Sequence, residues 1–170
     1  MYYRSNELHL SPLLQGLPHA VAVMRGRAEH GGIHGTVKFY QATGGVLVVA
    51  EIQGLPAPPE ACKSPIFAFH IHSGSDCTRN SGGNDEDPFA DAGSHYNPTD
   101  CPHPYHAGDM PPLFGAGGRA FLAFLTDRFT VREILGKTVI IHDGLDDFTT
   151  QPSGNAGNKI ACGVISEVRR

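Results

Sequence analysis

A chain of 170 residues with 21 glycines and 13 prolines is one domain's worth of sequence, and too heavily punctuated for a helical bundle. Its net charge is −4 and no Lys/Arg cluster stands ready to neutralise phosphates, which excludes nucleic acid as an expected partner. The longest apolar runs, such as Val46 to Ala50 and Thr138 to Ile141, fall far short of a bilayer span, so no membrane insertion is expected. Residues 1 to 16 are weakly patterned and are predicted as a tail or an extra edge strand ahead of a single domain over 17–170. The segment Met1 to Glu7 lacks an apolar signal core. The chain as it stands is therefore expected in the cytoplasm, an already processed exported form being the other reading.

Three strand-like runs follow: Ala20 to Met24, Gly35 to Tyr40 and Val46 to Ile52. Turn signals at Glu29 to Gly32 and Ala42 to Gly45 separate them, as in an antiparallel meander. After Pro56 to Pro59, the run Ile66-Phe67-Ala68-Phe69-His70-Ile71-His72 alternates with a period of two. Phe67, Phe69 and Ile71 share one face and are expected in the core; Ala68, His70 and His72 share the other, which places two imidazoles side by side on the opposite surface. A polar segment then extends from Ser73 to Gly118. A loop of that length in one domain requires something to hold it, and a metal is the natural candidate. Arg119 to Thr126 is predicted as a strand, Val131 to Leu135 as a short turn, and Thr138 to His142 as a strand. A second polar loop, Asp143 to Asn158, leads to the last strand, Ile160 to Glu167. Seven or eight strands without a convincing helix point to an all-β sandwich or barrel.

Ten histidines are present, six of them between His70 and His142. A His-x-His pair on a strand presents both rings on one face, as a metal site requires. His103-Pro104-Tyr105-His106 followed by Asp109 lies in a loop, because prolines at 102 and 104 exclude a helix there. Imidazole nitrogens with a carboxylate oxygen suit zinc. The cysteines, Cys62, Cys77, Cys101 and Cys162, are too widely spread for a zinc ribbon; they allow two disulfides in three connectivities, or four reduced thiols.

Five stretches, in order, carry a family resemblance: Phe69-His70-Ile71-His72, Gly93-Ser94-His95-Tyr96-Asn97-Pro98, His106-Ala107-Gly108-Asp109-Met110-Pro111, Val139-Ile140-Ile141-His142, and Asn155 through Ile165. Over roughly 18–168 the chain resembles the copper/zinc superoxide dismutases of bacterial type. The resemblance implies an immunoglobulin-like, eight-stranded Greek-key barrel with two long functional loops. It implies copper held by His70, His72, His95 and His142, and zinc held by His95, His103, His106 and Asp109, with His95 shared as an imidazolate. Superoxide anion would be converted to oxygen and hydrogen peroxide by Cu(II)/Cu(I) cycling, with His95 also delivering a proton. Asp146 would accept hydrogen bonds from His70 and His103, although Asp147 is adjacent and of the same type. Cys77 and Cys162 match the family's disulfide. Cys62 and Cys101 are extra, and either form a second disulfide anchoring the zinc loop or remain free.

The chain departs from the family pattern at His103 and His106, whose separation is tighter than usual, and at Lys159, which replaces an arginine lining the copper channel. Lysine keeps the positive charge but loses the planar fork. In a protein of net charge −4, anion capture is expected to rest on the local field of Lys159 beside the copper. A non-catalytic copper/zinc-binding module with the same fold is the alternative reading, and the presence of all four copper histidines favours the enzyme. A homodimer is compatible with the sequence, though no apolar stripe points to an interface.

Overall fold

A computed structural model of the chain describes residues 10–57, 65–79 and 87–169. Its strands among these residues are β1 (Ala20–Gly26), β2 (His34–Ala42), β3 (Gly45–Gln53), β4 (Ile66–Phe67), β5 (Phe69–His72), β6 (Leu113–Phe114), β7 (Arg119–Thr126), β8 (Thr138–His142) and β9 (Lys159–Glu167). Seven of them form one curled antiparallel sheet in the order β5-β8-β9-β1-β2-β3-β7, and β4 pairs with β6. β4 runs into β5 through Ala68 alone, and β6 packs against β7, so the small pair joins the two ends of the large sheet. Counting the interrupted β4–β5 segment as one strand gives the eight of a barrel. The non-sequential neighbours β5–β8, β9–β1 and β3–β7 make the connections cross as in a Greek key.

The alternation read from sequence sets which side chains enter the barrel. Val37 and Phe39 of β2, Val46, Val48, Ala50 and Ile52 of β3, Phe67, Phe69, Ile71, Val139, Ile141 and Ile165 belong to one buried cluster. β2 and β3 form a hairpin in register from His34↔Gln53 to Ala42↔Gly45. The two-residue turn between them places Gly44 at φ +85°, a conformation that glycine adopts without steric cost.

Three elements differ from the sequence reading. Within 1–16, predicted as a tail or extra edge strand, Leu10–Gln15 is a short helix, α1, and residues 1–9 lie outside the described residues. Pro12 has no N–H for a ladder but is tolerated in a first helical turn. Leu13 lies against Tyr40, Leu47 and Val49, so this turn covers the outer face of the β2–β3 hairpin. Val131–Ile134 is a helical turn, α2, closed by a capping box in which the Thr130 backbone N–H donates to Glu133 Oε2 at 2.6 Å. β6 lies within the segment read as a polar loop; two residues are too few to show a period.

Candidate metal centre

His70 and His72 stand on β5, which pairs with β8 on one side (Phe69↔Ile141, His70↔Ile140). Its other side is occupied by the long loop. The Ile71 N–H donates to Gly108 O at 2.9 Å, Tyr96 N–H to Ile71 O at 2.8 Å, and Ser73 N–H to Ser94 O at 2.8 Å. These bonds fix His95 and Asp109 beside the two strand histidines, as isolated bridges His72↔His95 and His70↔Asp109. The imidazoles therefore do not lie on a surface, as the alternation alone suggests. His70 is 0% and His72 2% exposed, because 94–109 folds over that face. His142 ends β8, its N–H donating to Ala68 O at 2.9 Å, the residue that interrupts β4 and β5.

Two groups of ligand-type atoms result, each with its members within 4.8 Å of one another and all buried: His70, His72, His95 and His142, and His95, His103, His106 and Asp109. His95 belongs to both. The hydrogen bonds of the rings decide which nitrogens face inward. A carbonyl only accepts, so His72 Nδ1, 2.7 Å from Gly93 O, carries the proton, as does His142 Nδ1, 3.3 Å from Gly157 O. Their Nε2 lone pairs then face each other at 3.3 Å. Burial, then the neighbouring His70, holds His142 down at about 3; burial, then His142 and His95, holds His72 well below the ordinary imidazole value. Protonation does not relieve that lone-pair contact near neutral pH. A cation does.

Asp146 arranges the remaining rings. His70 Nε2–H donates to its Oδ2 at 2.8 Å and His103 Nε2–H to its Oδ1 at 2.8 Å. Burial works to raise the Asp146 carboxyl, but the bonds from His70, the Phe148 N–H and His103 prevail and hold it at about 2. The ionised carboxylate leaves Nδ1 of both rings bare. His70 Nδ1 is buried without a hydrogen-bond partner, as is His95 Nε2. His103 Nδ1 lies 3.0 Å from Asp109 Oδ2, a lone pair against a carboxylate oxygen, which again calls for a cation between them. His95 Nδ1 lies 2.8 Å from Asp109 Oδ1 and 3.3 Å from His106 Nδ1. Burial works to raise the Asp109 carboxyl, but the hydrogen bond from His95, with the electrostatic pull of His95, His103 and His106, outweighs it, so the net shift is downward. The donor chemistry fits: four imidazole nitrogens suit copper, and three imidazoles with one carboxylate suit zinc.

Cys77 and Cys162 are joined by a disulfide that spans 85 residues and ties the long loop to β9. Among the described residues Cys101 has no disulfide partner, its Sγ lying 3.3 Å from Thr99 Oγ1; Cys62, the other half of the expected pair, lies outside the described residues. Lys159 opens β9, across from His142 in the ladder. It shares a cleft of about 440 Å³ with His72, His95, His142, Asp87 and Asn158, and its ammonium lies 2.7 Å from Asp87 Oδ2. Asp147 serves a different purpose from Asp146: its carboxylate accepts from Thr149 and Thr150 and shapes the turn that follows.

Several supporting residues went unread in the sequence. Gln151 brackets the His103 backbone, accepting from its N–H at 2.9 Å and donating to its carbonyl at 2.7 Å. Arg128 Nη1 donates to the carbonyls of Pro104, His106 and Asp109 at 3.1, 3.3 and 3.4 Å. Gly154, at φ +70°, packs against the Asp146–His103 contact so closely that any Cβ would collide with the carboxylate. The glycines of Gly154-Asn155-Ala156-Gly157 were the available signal for that close approach; a lone glutamine or arginine carries none.

The model of the family described as copper/zinc superoxide dismutase matches residues 33–165. A superoxide dismutase [Cu-Zn] of Deinococcus radiodurans is 32% identical over 154 residues, covering 82% of this chain and 81% of that protein. A copper chaperone for superoxide dismutase from Mus musculus is 32% identical over 166 residues; the match takes in 92% of this chain but only 56% of the chaperone. Among solved structures, the Cu/Zn superoxide dismutase from Brucella abortus superposes with a TM-score of 0.68 at 26% identity, covering 85% of this chain and 98% of that one. The shared barrel, two histidine groups able to take the family's copper and zinc, and a family match over most of the length lead to one conclusion: the chain belongs to the copper/zinc superoxide dismutase family.

Proposed function

We propose that the protein is an active superoxide dismutase, converting two superoxide anions and two protons into one oxygen and one hydrogen peroxide. The observation that carries this reading is the complete set of four inward-facing imidazoles, His70, His72, His95 and His142, three of them lining an open cleft. Copper held there supplies a Cu(II)/Cu(I) couple, while zinc among His95, His103, His106 and Asp109 has no redox chemistry and polarises the shared ring.

The chain's own residues divide the remaining work. His95 offers Nε2 to one group and Nδ1 to the other, so its Nε2 is the atom at which a proton is taken up and given to the product. Asp146, Gly93 O and Gly157 O fix the tautomers of His70, His103, His72 and His142, so these four rings arrive with the correct nitrogen bare. The cleft admits a small anion, and Lys159 stands on its wall beside Asp87. The resemblance to copper chaperones favours a second reading, a non-catalytic copper holder. The test is turnover per bound copper. The copper- and zinc-loaded protein should consume many superoxides per copper, whereas a holder would consume none above the zinc-only form.

A further inference from the structure

The charge that the cleft presents to an anion is not that of a bare lysine. The Lys159 side chain is 14% exposed and its ammonium lies 2.7 Å from Asp87 Oδ2. It also donates to the Phe89 carbonyl at 3.1 Å. Asp87 is itself held in place, because its Oδ1 accepts the Phe89 backbone N–H at 3.0 Å. Phe89 in turn packs with Ala92, Ile140 and Cys162 against Cys77, directly on the disulfide. Both acceptors for the ammonium therefore come from one short segment, 87–89, anchored by a buried ring. The Asp87 side chain is 40% exposed and lines the same cleft as His72, His95 and His142.

An ion pair at this distance is a dipole. Its field falls off faster than that of a single charge, so the pair attracts an approaching anion weakly at long range. An anion entering the cleft must also compete with a carboxylate already seated on the ammonium. We propose that Asp87 is a positioning residue that holds the Lys159 ammonium at the wall of the cleft and masks its charge, so that this chain captures anions with low affinity and little dependence on salt. This rests on the copper-site reading above. It differs from the expectation from sequence that Lys159 acts as an open attractor, because the ammonium is already paired.

The test measures anion binding and does not depend on turnover. Azide binding to the copper- and zinc-loaded protein is followed by the absorption band of the complex at low and high ionic strength. Inorganic phosphate binding to the zinc-only protein is followed by calorimetry. Asp87→Asn should tighten both by about threefold to tenfold at low salt, the size expected for unmasking one charge in a cleft, and should steepen the salt dependence. In a Lys159→Gln background the same substitution should give no comparable gain. Unchanged affinity and salt slope in Asp87→Asn, or an equal gain with Lys159 already removed, would overturn the proposal. A protein that shows the gain but no superoxide turnover would instead count against the dismutase reading alone.

Discussion

Asp146 is a side chain outside the two histidine groups that touches both of them. It is 1% exposed and accepts from His70 and His103, one ring of each group, at 2.8 Å. Asparagine in its place offers only one acceptor oxygen and sets an N–H₂ against the other ring. Asp146→Asn should therefore weaken copper and zinc together by about 10- to 100-fold, the usual effect of losing such a partner, as read by competition with a chelator. Loss of one metal alone would show that the carboxylate serves one group. His95 and His142 separate the groups in the complementary way. His95→Ala removes a ligand from both and should weaken both metals, whereas His142→Ala removes one from the first group only and should spare zinc. Equal zinc loss in the two variants, measured by metal analysis after dialysis, would contradict the sharing of His95.

At the level of loops and strands, the site is built by pinning irregular chain against regular chain. The Cys77–Cys162 bond closes a stretch of 85 residues, and the chain-entropy model gives about 4–5 kcal/mol for a loop of that length. Cys77→Ser with Cys162→Ser should lower the unfolding free energy from denaturant titration by about that much; a change under about 1 kcal/mol would mean that the bond removes little freedom from the unfolded chain. Arg128, on the turn after β7, clasps the carbonyls of Pro104, His106 and Asp109. Arg128→Ala should loosen that loop and reduce zinc affinity while copper affinity stays within about twofold, since a positioning contact acts only on the ligands it holds. The strands themselves were legible because a period of two survives in Phe67, Phe69 and Ile71 even beside a functional face. What a period cannot express is which face is covered. His70 and His72 read as surface residues because the loop that buries them pairs through backbone groups at Ser94, Tyr96 and Gly108, whose side chains announce nothing. His70, His72, His103, His106 and Asp109 stood out by spacing and residue type, and their sorting with His95 and His142 into two groups came from the resemblance; the partner of Lys159 was not legible at all, since Asp87 lies 72 positions away in sequence.

The whole molecule combines a net charge of −4 with a cleft whose lysine is paired to a carboxylate. The barrel supplies rigidity: β5, β8 and β9 are adjacent in the sheet, and they carry His70, His72, His142 and Lys159 on a frame closed by the main core. Under the dismutation proposed above, such a frame would hold His70, His72 and His142 in place while His95 Nε2 gains and loses a proton. The product ratio reports that chemistry. Superoxide consumed by the copper- and zinc-loaded protein should be measured together with hydrogen peroxide formed, beside the zinc-only form. Dismutation predicts one peroxide for every two superoxides, sustained over many turnovers per copper and absent from the zinc-only protein. Copper bound in full with no consumption above that control, or one peroxide for each superoxide, would contradict it.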